Sequence, residues 1–384
     1  MKTSCPSLTL LLKGGMYLKF TINRQELLTC AKRAAAVVPT ISPLDILKCT
    51  LIEADAERKL LSLTGTNLEV TLRQTIHLPD YEGEDGSVAL EAKLLVAMLT
   101  LLGGETVTVS YDGGSQITVS SEDAEYRVPV MNSKDYPHTD LPFPEDTIKV
   151  SGVPTMVQRS IFATAERSEM PLLGCVNLKF TSDGLVAVGS DGNCMVSAKG
   201  DKQSVGAISF LVPASSLERL ARLCDNKDVF QVGTTGKHIV FLREDFIFSA
   251  RLMQGRYPDT EKITGSLSNA FTVLTDAVEL RNMLSSVSSV ATDGRVLLTF
   301  AGDKLRMECT GKVGNASMTL GVIPLFGCPS GYYAYKTTQL EHSLRALTGT
   351  VTLGIAQGGT LTLSTEDAFY MQTPLRLKTA AKAA

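Results

Sequence analysis

An alternation of apolar and polar residues occurs twice in this chain, each time ahead of a Tyr-Pro pair. Residues 246–253 read Phe-Ile-Phe-Ser-Ala-Arg-Leu-Met and are followed by a Gly-Arg turn and Tyr257-Pro258. Residues 126–131 precede Tyr136-Pro137 in the same way. A period of two predicts a half-buried strand that ends before the proline. The two copies lie about 120 residues apart, which predicts a large repeated unit.

The first third of the chain predicts the order strand, helix, strands, helix, strands. Asn23 is a typical N-cap residue, and Glu26 stands three residues later, where a capping box has its acidic partner. The residues that follow have helical apolar spacing as far as Pro39. The predicted strands are 17–20, 47–54 and 60–70, and the predicted helices are 24–38 and 91–102.

The same order recurs twice more, which predicts an α+β fold of three similar units. Leucines begin the strand after the first turn of each unit, at Leu61, Leu185 and Leu305, again about 120 residues apart. The later predicted helices are 154–169, 213–224, 276–291 and 336–347. The later predicted strands are 176–181, 185–188, 296–301 and 305–309, with three more within 230–256.

Composition and charge narrow the classes of function. The chain holds 37 Lys and Arg against 40 Asp and Glu, so its bulk charge predicts neither a nucleic-acid binder nor a membrane-surface protein, although local patches remain open. The eight Cys include no CxxC pair and favour buried free thiols over disulfides. The four His lack paired ligand spacing, so neither a metal site nor a cofactor is predicted.

The first thirteen residues imitate a signal peptide. Their apolar run is short and broken by Thr9, and no small-residue cleavage site follows. We therefore expect folded sequence to begin near Met16, with residues 1–15 as an N-terminal extension. No stretch is long and apolar enough to span a membrane, and a cytoplasmic location is expected.

Six short motifs, taken together and in order, carry a resemblance to a known family. They are Met16–Ile22, Pro39-Thr40 with Pro43-Leu44, Leu61–Glu69, Ser190-Asp191-Gly192, Gly255–Asp259 and Pro374–Leu377. Over about residues 16–377 the chain resembles the bacterial DNA polymerase III β subunit, the sliding clamp, as a divergent member.

This resemblance implies three two-helix, antiparallel-sheet domains of the DNA clamp type, which form a ring as a homodimer. The expected domains are 16–140, 146–260 and 268–377, and residues 378–384 are expected to be a disordered tail. Such a ring encircles duplex DNA, tethers a polymerase, catalyses nothing and needs a separate loader to open it. Its partners would be duplex DNA and, through short peptides, polymerase and loader subunits.

A sliding tether must grip DNA weakly, because each fixed phosphate contact displaces counterions and adds affinity. Basic residues on the predicted inward helices are the candidates for facing DNA, although each alone could be an ordinary solvated residue. Val38 stands where the family usually has a basic or polar residue, which weakens the case at that loop. The DNA-facing candidates are Arg24, Lys32, Arg33, Arg159, Arg167, Arg219, Arg222, Arg281, Lys336 and Arg345.

The resemblance also implies an apolar cleft for an extended peptide. Asn193 and Cys194 stand where the family typically has His and Arg, so an altered peptide preference is expected. Residues 190–193 alone favour a simple β-turn. The carried-over cleft residues are Ser190, Gly192, Asn193, Cys194, Met195, Pro258, Lys262, Ile263, Met371, Thr373, Pro374 and Leu375.

Three further alternatives stay open from the sequence. Val287 and Val290 are candidates for the dimer interface, but a role in the core of their own domain is at least as good an interpretation. Cys194 beside Asp191 could indicate thiol chemistry, although no base and no phosphate-binding loop of the GxxxxGK type is evident. A clamp-like protein scaffold with reduced DNA function is the remaining alternative.

Overall fold

A computed structural model describes residues 18–81, 83–137, 141, 143–166, 170–181, 184–200 and 208–376. The chain divides into two compact units. Unit 1 takes in Met1–Val150 and Val229–Leu252, and unit 2 takes in Ser151–Asp228 and Met253–Ala384. The predicted N-terminal extension and C-terminal tail lie outside the described residues. The division into three domains stays a prediction.

Unit 1 contains two α-helices, α1 (Arg24–Val37) and α2 (Ala92–Leu101), among its described residues. Its first strands are β1 (Leu18–Asn23), β2 (Cys49–Asp55), β3 (Leu60–Thr66), β4 (Val70–His77), β5 (Gly86–Glu91), β6 (Thr106–Tyr111), β7 (Gln116–Ser120), β8 (Glu125–Pro129) and β9 (Ile148–Val150). Short 3₁₀ helices span Asp45–Lys48 and Ser133–Asp135.

Unit 2 contains α3 (Val153–Ser160), α4 (Ala214–Ala221), α5 (Thr260–Gly265), α6 (Ala277–Ser288) and α7 (Thr337–Ala346). Its first strands are β10 (Cys175–Thr181), β11 (Gly184–Ser190), β12 (Cys194–Lys199) and β13 (Ile208–Pro213). The next three strands, β14 (Phe230–Thr235), β15 (His238–Arg243) and β16 (Phe246–Arg251), belong to unit 1. Short 3₁₀ helices span Ile161–Ala163 and Pro171–Gly174.

The remaining strands lie in unit 2, and every strand pair in both units is antiparallel. These strands are β17 (Asn269–Asp276), β18 (Arg295–Ala301), β19 (Lys304–Gly311), β20 (Gly314–Gly321), β21 (Ile323–Phe326), β22 (Ser330–Lys336), β23 (Thr350–Ala356), β24 (Leu361–Ser364) and β25 (Ala368–Gln372). The mixture of helices and antiparallel sheets confirms the predicted α+β class.

Each unit holds one long sheet and one four-stranded sheet. In unit 1 the strand orders are β5-β2-β3-β4-β16-β15-β14-β9 and β1-β6-β7-β8. In unit 2 they are β13-β10-β11-β12-β25-β24-β23-β17-β21 and β20-β19-β18-β22. The long sheets join segments that are far apart in sequence, through the pairs β4–β16 and β12–β25. Among the described residues, the outermost strands β1, β8 and β20 of the two four-stranded sheets pair on one side only, whereas β22 is also bridged by Leu375.

The start of α1 follows from its capping residue. The Asn23 side chain accepts hydrogen bonds from the backbone N–H groups of Gln25 and Glu26, at 3.0 and 3.1 Å. These bonds satisfy donors that have no partner within the helix. The predicted N-cap is therefore confirmed. The apolar stripe of α1, with Leu27 and Ala31 among its members, is buried in the core of unit 1.

Glycines allow two helices, and the turn that follows a third, to approach three strands closely. A Cβ atom on Gly65 of β3 would lie 2.3 Å from the carbonyl oxygen of Ala34. A Cβ on Gly189 of β11 would lie equally close to the carbonyl oxygen of Ser160. Gly311 of β19 meets the carbonyl of Val290 in the same way. The same strand-to-helix contact thus recurs at similar intervals along the chain, which supports the predicted repeat.

Two predicted elements differ from those observed. The predicted strand 60–70 is two strands, because the Asn67 side chain accepts hydrogen bonds from the N–H groups of Glu69 and Val70 and turns the chain. The predicted helix 154–169 ends as an α-helix at Ser160, where a 3₁₀ turn follows. Thr164 after that turn is extended, so the chain leaves the helical path there.

Candidate functional site

A tight turn in unit 2 joins β11 to β12 and contains the first of the predicted cleft residues. The Asp191 carboxylate accepts hydrogen bonds from the N–H groups of Asn193 and Cys194, at 2.8 and 2.7 Å. Gly192 has a φ of 89°, which glycine adopts without strain. The Ser190 hydroxyl donates to the Cys194 carbonyl oxygen at 2.8 Å. The turn predicted from composition is therefore present.

The last strand of the chain pairs with the strand that follows this turn. Met371 of β25 lies opposite Met195 of β12, and the N–H of Thr373 donates to the Asn193 carbonyl oxygen at 2.9 Å. The N–H of Leu375 donates to the Ala334 carbonyl oxygen at 2.7 Å. The pairing of β12 with β25 thus brings together residues that are more than 170 positions apart in sequence.

Met195 and Met371 are part of a small apolar cluster. Cys175, Val188, Leu211 and Tyr257 complete its buried members. The sequence analysis named the two methionines as cleft residues and did not name Cys175, Val188 or Leu211, because these three lie in ordinary strand patterns. The partly buried apolar side chains that pack against this cluster are Leu172, Val186, Leu267 and Phe369.

Three more of the predicted cleft residues, Pro258, Lys262 and Ile263, follow Tyr257 closely in the sequence. Pro258 is half-buried and directly follows Tyr257. The Asp259 side chain caps α5 by accepting a hydrogen bond from the N–H of Lys262 at 3.0 Å. Ile263 on α5 keeps 40% of its surface exposed, and Lys262 is exposed as well. An exposed apolar side chain beside a cationic one is able to contact a ligand.

Cys194 faces away from Met195, because neighbouring residues of a strand point to opposite faces. Its side chain is 1% exposed and joins the main core of unit 2. Burial, together with the nearby Asp191 carboxylate, raises the pKa of the Cys194 thiol far above its ordinary value. The sulfur is therefore a protonated thiol at neutral pH and a poor nucleophile, which argues against thiol chemistry. Cys194 forms part of the core behind the cluster rather than its lining.

A residue that sequence reasoning missed, Gln339 of α7, holds the turn in place. Its Nε2 donates to the Asp191 carboxylate at 2.5 Å and contacts the Cys194 sulfur at 3.3 Å. Its Oε1 accepts from Gln372 Nε2 at 3.1 Å, and that same nitrogen donates to the Lys336 carbonyl oxygen at 3.2 Å. A polar network therefore connects the turn, the last strand and the start of α7. No local sequence pattern marks Gln339.

Two of the basic residues predicted to face DNA bond to their own chain in unit 1. Arg24 donates from Nε to the Gly104 carbonyl and from an η nitrogen to the Leu99 carbonyl, at 3.0 and 2.9 Å. It thereby satisfies carbonyl groups at the C-terminal end of α2. Arg33 donates to the Gln74 side-chain oxygen at 3.0 Å. Both guanidinium groups have a structural role in addition to any contact with DNA.

The other basic residues predicted to face DNA differ in their ion pairing and in their exposure to solvent. Arg222 and Arg345 form ion pairs with Glu218 and Glu341, one helical turn away. Among the remaining candidates, Lys32 and Lys336 are exposed, and Arg159, Arg219 and Arg281 are half-buried. Arg167 lies outside the described residues. A helix surface with few unengaged cations would grip a phosphate backbone only weakly.

The two residues predicted for the dimer contact, Val287 and Val290, lie in or against the core of unit 2. Val287 has 0% of its surface exposed and packs inside the core of unit 2, so it has no surface to offer a second chain. Val290 is partly buried against the same core. This burial favours the alternative interpretation, a core role for Val287, and the dimer contact stays a prediction. Among the described residues, β8 and β20 each end a four-stranded sheet and pair on one side only.

Neither a metal-binding group nor a membrane helix emerges from the described part of the chain. Within residues 18–376, apart from the gaps stated above, no three His, Cys, Asp or Glu side chains are grouped to hold a metal ion. The described helices are all too short or too polar to cross a bilayer.

Comparison with family models decides the relationship. The model of the DNA polymerase III beta subunit N-terminal domain matches residues 18–140, and the model of its central domain matches residues 147–259. The two matches together span more than half of the chain. The chain belongs to the DNA polymerase III beta subunit family. This membership confirms the resemblance inferred from the sequence and the function class it implied, a processivity factor of DNA replication.

Relatives of this beta subunit family member are similar at low identity over most of its length. The beta sliding clamp of Bacillus subtilis is 24% identical over 294 residues, which cover 72% of this chain and 76% of that protein. The beta sliding clamp of Chlamydia pneumoniae is 24% identical over 317 residues, covering 79% of this chain and 84% of that protein.

Solved structures of the same family share the fold. A putative DNA polymerase III beta subunit from Eubacterium rectale superposes with a TM-score of 0.87 at 17% identity, over 94% of this chain and 100% of that chain. The Bacillus subtilis sliding clamp gives a TM-score of 0.86 at 19% identity, with the same coverage. A Pseudomonas aeruginosa clamp, solved with griselimycin bound, gives 0.85 at 21% identity, over 95% and 100% of the two chains.

Proposed function

We propose that this beta subunit works as a sliding clamp, a ring of two chains that encircles duplex DNA and tethers a polymerase to it. The observation that carries this proposal is the match to both family domain models, together with a fold that superposes on solved clamps over 94% of the chain. The protein acts without catalysis, in the cytoplasm, and a separate loader opens the ring.

The distribution of basic side chains supports sliding. The net charge of −3 gives the chain no bulk attraction for DNA. Arg24, Arg33, Arg222 and Arg345 are engaged within the chain, which leaves few cations to fix a phosphate. Because fewer fixed phosphate contacts release fewer counterions, the DNA is held by enclosure rather than by affinity.

Open sheet edges support closure of the ring. β8 and β20 each end a four-stranded sheet and present unpaired backbone groups along one side. Such edges pair readily with another strand. We propose that β8 of one protomer pairs with β20 of its partner, twice in the dimer. Val128 and Tyr126 on β8, both half-buried, would contribute apolar contact there.

The apolar cluster around Met195 and Met371 is the proposed docking site for short peptides of the polymerase and the loader. Ile263, with 40% of its surface exposed, supplies the accessible apolar rim. The turn held by Asp191 presents the Asn193 side chain to solvent. The amide of Asn193 would orient the peptide backbone, as polar groups do in apolar pockets.

Loading on circular DNA tests the function. The protein is loaded by a compatible loader onto nicked circular DNA, separated from free protein at moderate salt, and then the DNA is linearised. We expect retention on the circle and release from the linear form. Binding that is indifferent to linearisation would indicate ordinary groove binding. Failure to load at all, with an active loader, would favour the protein scaffold or an enzyme.

A further inference from the structure

A series of side-chain hydrogen bonds crosses unit 1 from α1 to the turn between β15 and β16. Arg33 on α1 donates from an η nitrogen to Gln74 Oε1 at 3.0 Å. Gln74 Nε2 donates to one carboxylate oxygen of Asp245 at 2.9 Å. Arg243 donates from Nε to the other carboxylate oxygen at 2.8 Å. These four side chains, Arg33, Gln74, Asp245 and Arg243, form what we call the Gln74 network.

The end of the Gln74 network that lies away from α1 is firmly held. The Arg243 guanidinium lies over the rings of Phe230 and Phe246, 5.9 and 5.5 Å from their centroids. Such cation–π contacts are attractive. The backbone carbonyl of Asp245 accepts a hydrogen bond from the N–H of Thr75 at 2.9 Å. The Asp245 carboxylate is therefore a fixed anchor for the amide of Gln74.

The chemistry of its two neighbours determines how the Gln74 amide is oriented. A guanidinium group can only donate hydrogen bonds, and a carboxylate can only accept them. The amide oxygen must therefore face Arg33, and the amide nitrogen must face Asp245. Gln74 is only 3% exposed, so turning the amide round would break both bonds in a buried place, at a cost in free energy. Gln74 thus fixes where the guanidinium of Arg33 lies.

Gln74 holds Arg33 without cancelling its charge. A carboxylate in its place would form an ion pair, as Glu218 does with Arg222. Asp245 is paired with Arg243 instead, and the amide between them and Arg33 is neutral. The positive charge that is left over therefore lies at Arg33. The bond to Gln74 uses one of several guanidinium N–H groups, and Arg33 is only half-buried.

We propose that Gln74 is a positioning residue, which holds Arg33 so that its remaining N–H groups contact a phosphate of the enclosed DNA. This inference rests on the proposed function, because α1 meets DNA only if the chain forms a ring around it. A guanidinium that is already held in place loses less conformational entropy when it binds. One oriented cation in each chain guides the DNA, yet adds few fixed contacts and permits sliding.

Diffusion of the loaded protein along DNA tests the role of Gln74. Labelled protein is placed on stretched duplex DNA by a compatible loader and followed by single-molecule fluorescence over a range of salt concentrations. We expect Arg33→Ala to diffuse at least about two-fold faster than the parent at low salt, because a phosphate contact is lost. The difference should shrink at high salt, where such contacts are screened.

Substitutions of Gln74 should reproduce the effect of losing Arg33. Gln74→Met keeps nearly the same size and removes both hydrogen bonds, and Gln74→Glu pairs the guanidinium with a charge. Both should diffuse like Arg33→Ala. The double variant Arg33→Ala, Gln74→Met should diffuse no faster than Arg33→Ala alone, because the two residues act on one contact.

A neighbouring substitution separates positioning from stability. Ile76→Val, on the same face of β4, removes a buried methylene and lowers stability without breaking a hydrogen bond. It should diffuse like the parent at every salt concentration. Parent-like diffusion of Arg33→Ala, or of both Gln74 variants, would overturn the inference and leave the proposed function intact. A parent protein that is never retained on circular DNA would overturn both.

Discussion

At the scale of single residues, the two cleft residues expected to alter the peptide preference, Asn193 and Cys194, lie in different surroundings. Asn193 is exposed on the turn, where a bound peptide would contact it. Cys194 is buried behind the turn and contacts Gln339. We therefore expect any change in peptide preference to come directly from Asn193, and we expect Cys194 to act through the packing that supports the turn.

Substitution of the apolar residues of the cleft tests the peptide site. Met195→Lys places a charge in the cluster, and Ile263→Glu places one at its exposed rim. Both should weaken binding of fluorescently labelled peptides from polymerase and loader subunits by about ten-fold or more, or at least 1.4 kcal/mol. Fluorescence anisotropy measures the affinity.

The two variants differ in their risk to the fold. Met195 is buried, so its substitution also lowers stability, whereas Ile263 is exposed and its substitution should leave the melting temperature nearly unchanged. Leu101→Glu, at an exposed leucine of unit 1, is the control and should bind peptides normally. Unchanged affinity in both Met195→Lys and Ile263→Glu would show that peptides bind elsewhere.

The buried thiol of Cys30 makes stability depend on pH in the alkaline range. Burial raises the pKa of Cys30 from 9.0 to about 12, and the nearby Arg33 opposes this shift only in part. Between these values the unfolded chain loses the proton and the folded chain keeps it. The stabilising contribution is therefore complete below pH 9 and declines as the pH rises toward 12.

A comparison with Cys30→Ala isolates this contribution. Between pH 8 and pH 11, the free energy of unfolding of the parent protein should fall by roughly 2–3 kcal/mol more than that of the variant. Urea unfolding under reducing conditions measures both proteins. Other titrating groups cancel in the difference, so parallel pH profiles would contradict the assignment of the thiol as buried and protonated.

At the scale of elements, helix-to-strand contacts depend on glycines in the strands. A Cβ on Gly65 would overlap the Ala34 carbonyl oxygen and come within 3.0 Å of Val37. We expect Gly65→Ala to destabilise unit 1 by about 1–3 kcal/mol, since α1 must move away from β3. The midpoint of denaturant unfolding measures the effect.

Gly103 provides the matched control for that substitution. No atom outside its chain neighbours lies within 4 Å of a Cβ placed on Gly103, and its φ is not positive. Gly103→Ala should therefore change the free energy of unfolding by no more than about 0.5 kcal/mol. Equal effects of the two alanines would mean that the close approach of α1 to β3 is not what requires glycine.

At the scale of the whole molecule, closure of a ring would depend on the free edge of β20. The N–H of Val322 donates to the Asp303 carbonyl oxygen, so alternation turns the N–H of Thr319 away from β19 and toward the free edge. Thr319→Pro removes that donor without breaking the ladder to β19. We expect the variant to be monomeric in sedimentation experiments and to lose retention on circular DNA.

Two comparisons make this result specific. Thr319→Ala keeps the N–H and should remain a dimer. Peptide binding should survive in Thr319→Pro, because Met195 and Met371 lie in a different sheet. A Thr319→Pro variant that still forms dimers would place the interface away from β20.

Sequence by itself determined the local elements, because their signals are local. The N-cap at Asn23 and the three strands within 230–256 were predicted correctly, since capping chemistry and alternating burial act over a few residues. The spacing of the leucines predicts a repeat of about 120 residues, and the division into three units stays a prediction. The sequence also determined the family, through six short motifs in order.

Only the tertiary structure decided which of these residues meet and which are free. Val287 has the helical spacing of a core residue and of an interface residue alike, and only its complete burial separates the two roles. The engagement of Arg24 and the part played by Gln339 depend on partners that are 75 and 148 positions away. Contacts between distant segments form when sheets pair and helices pack, and no local pattern of residues encodes them.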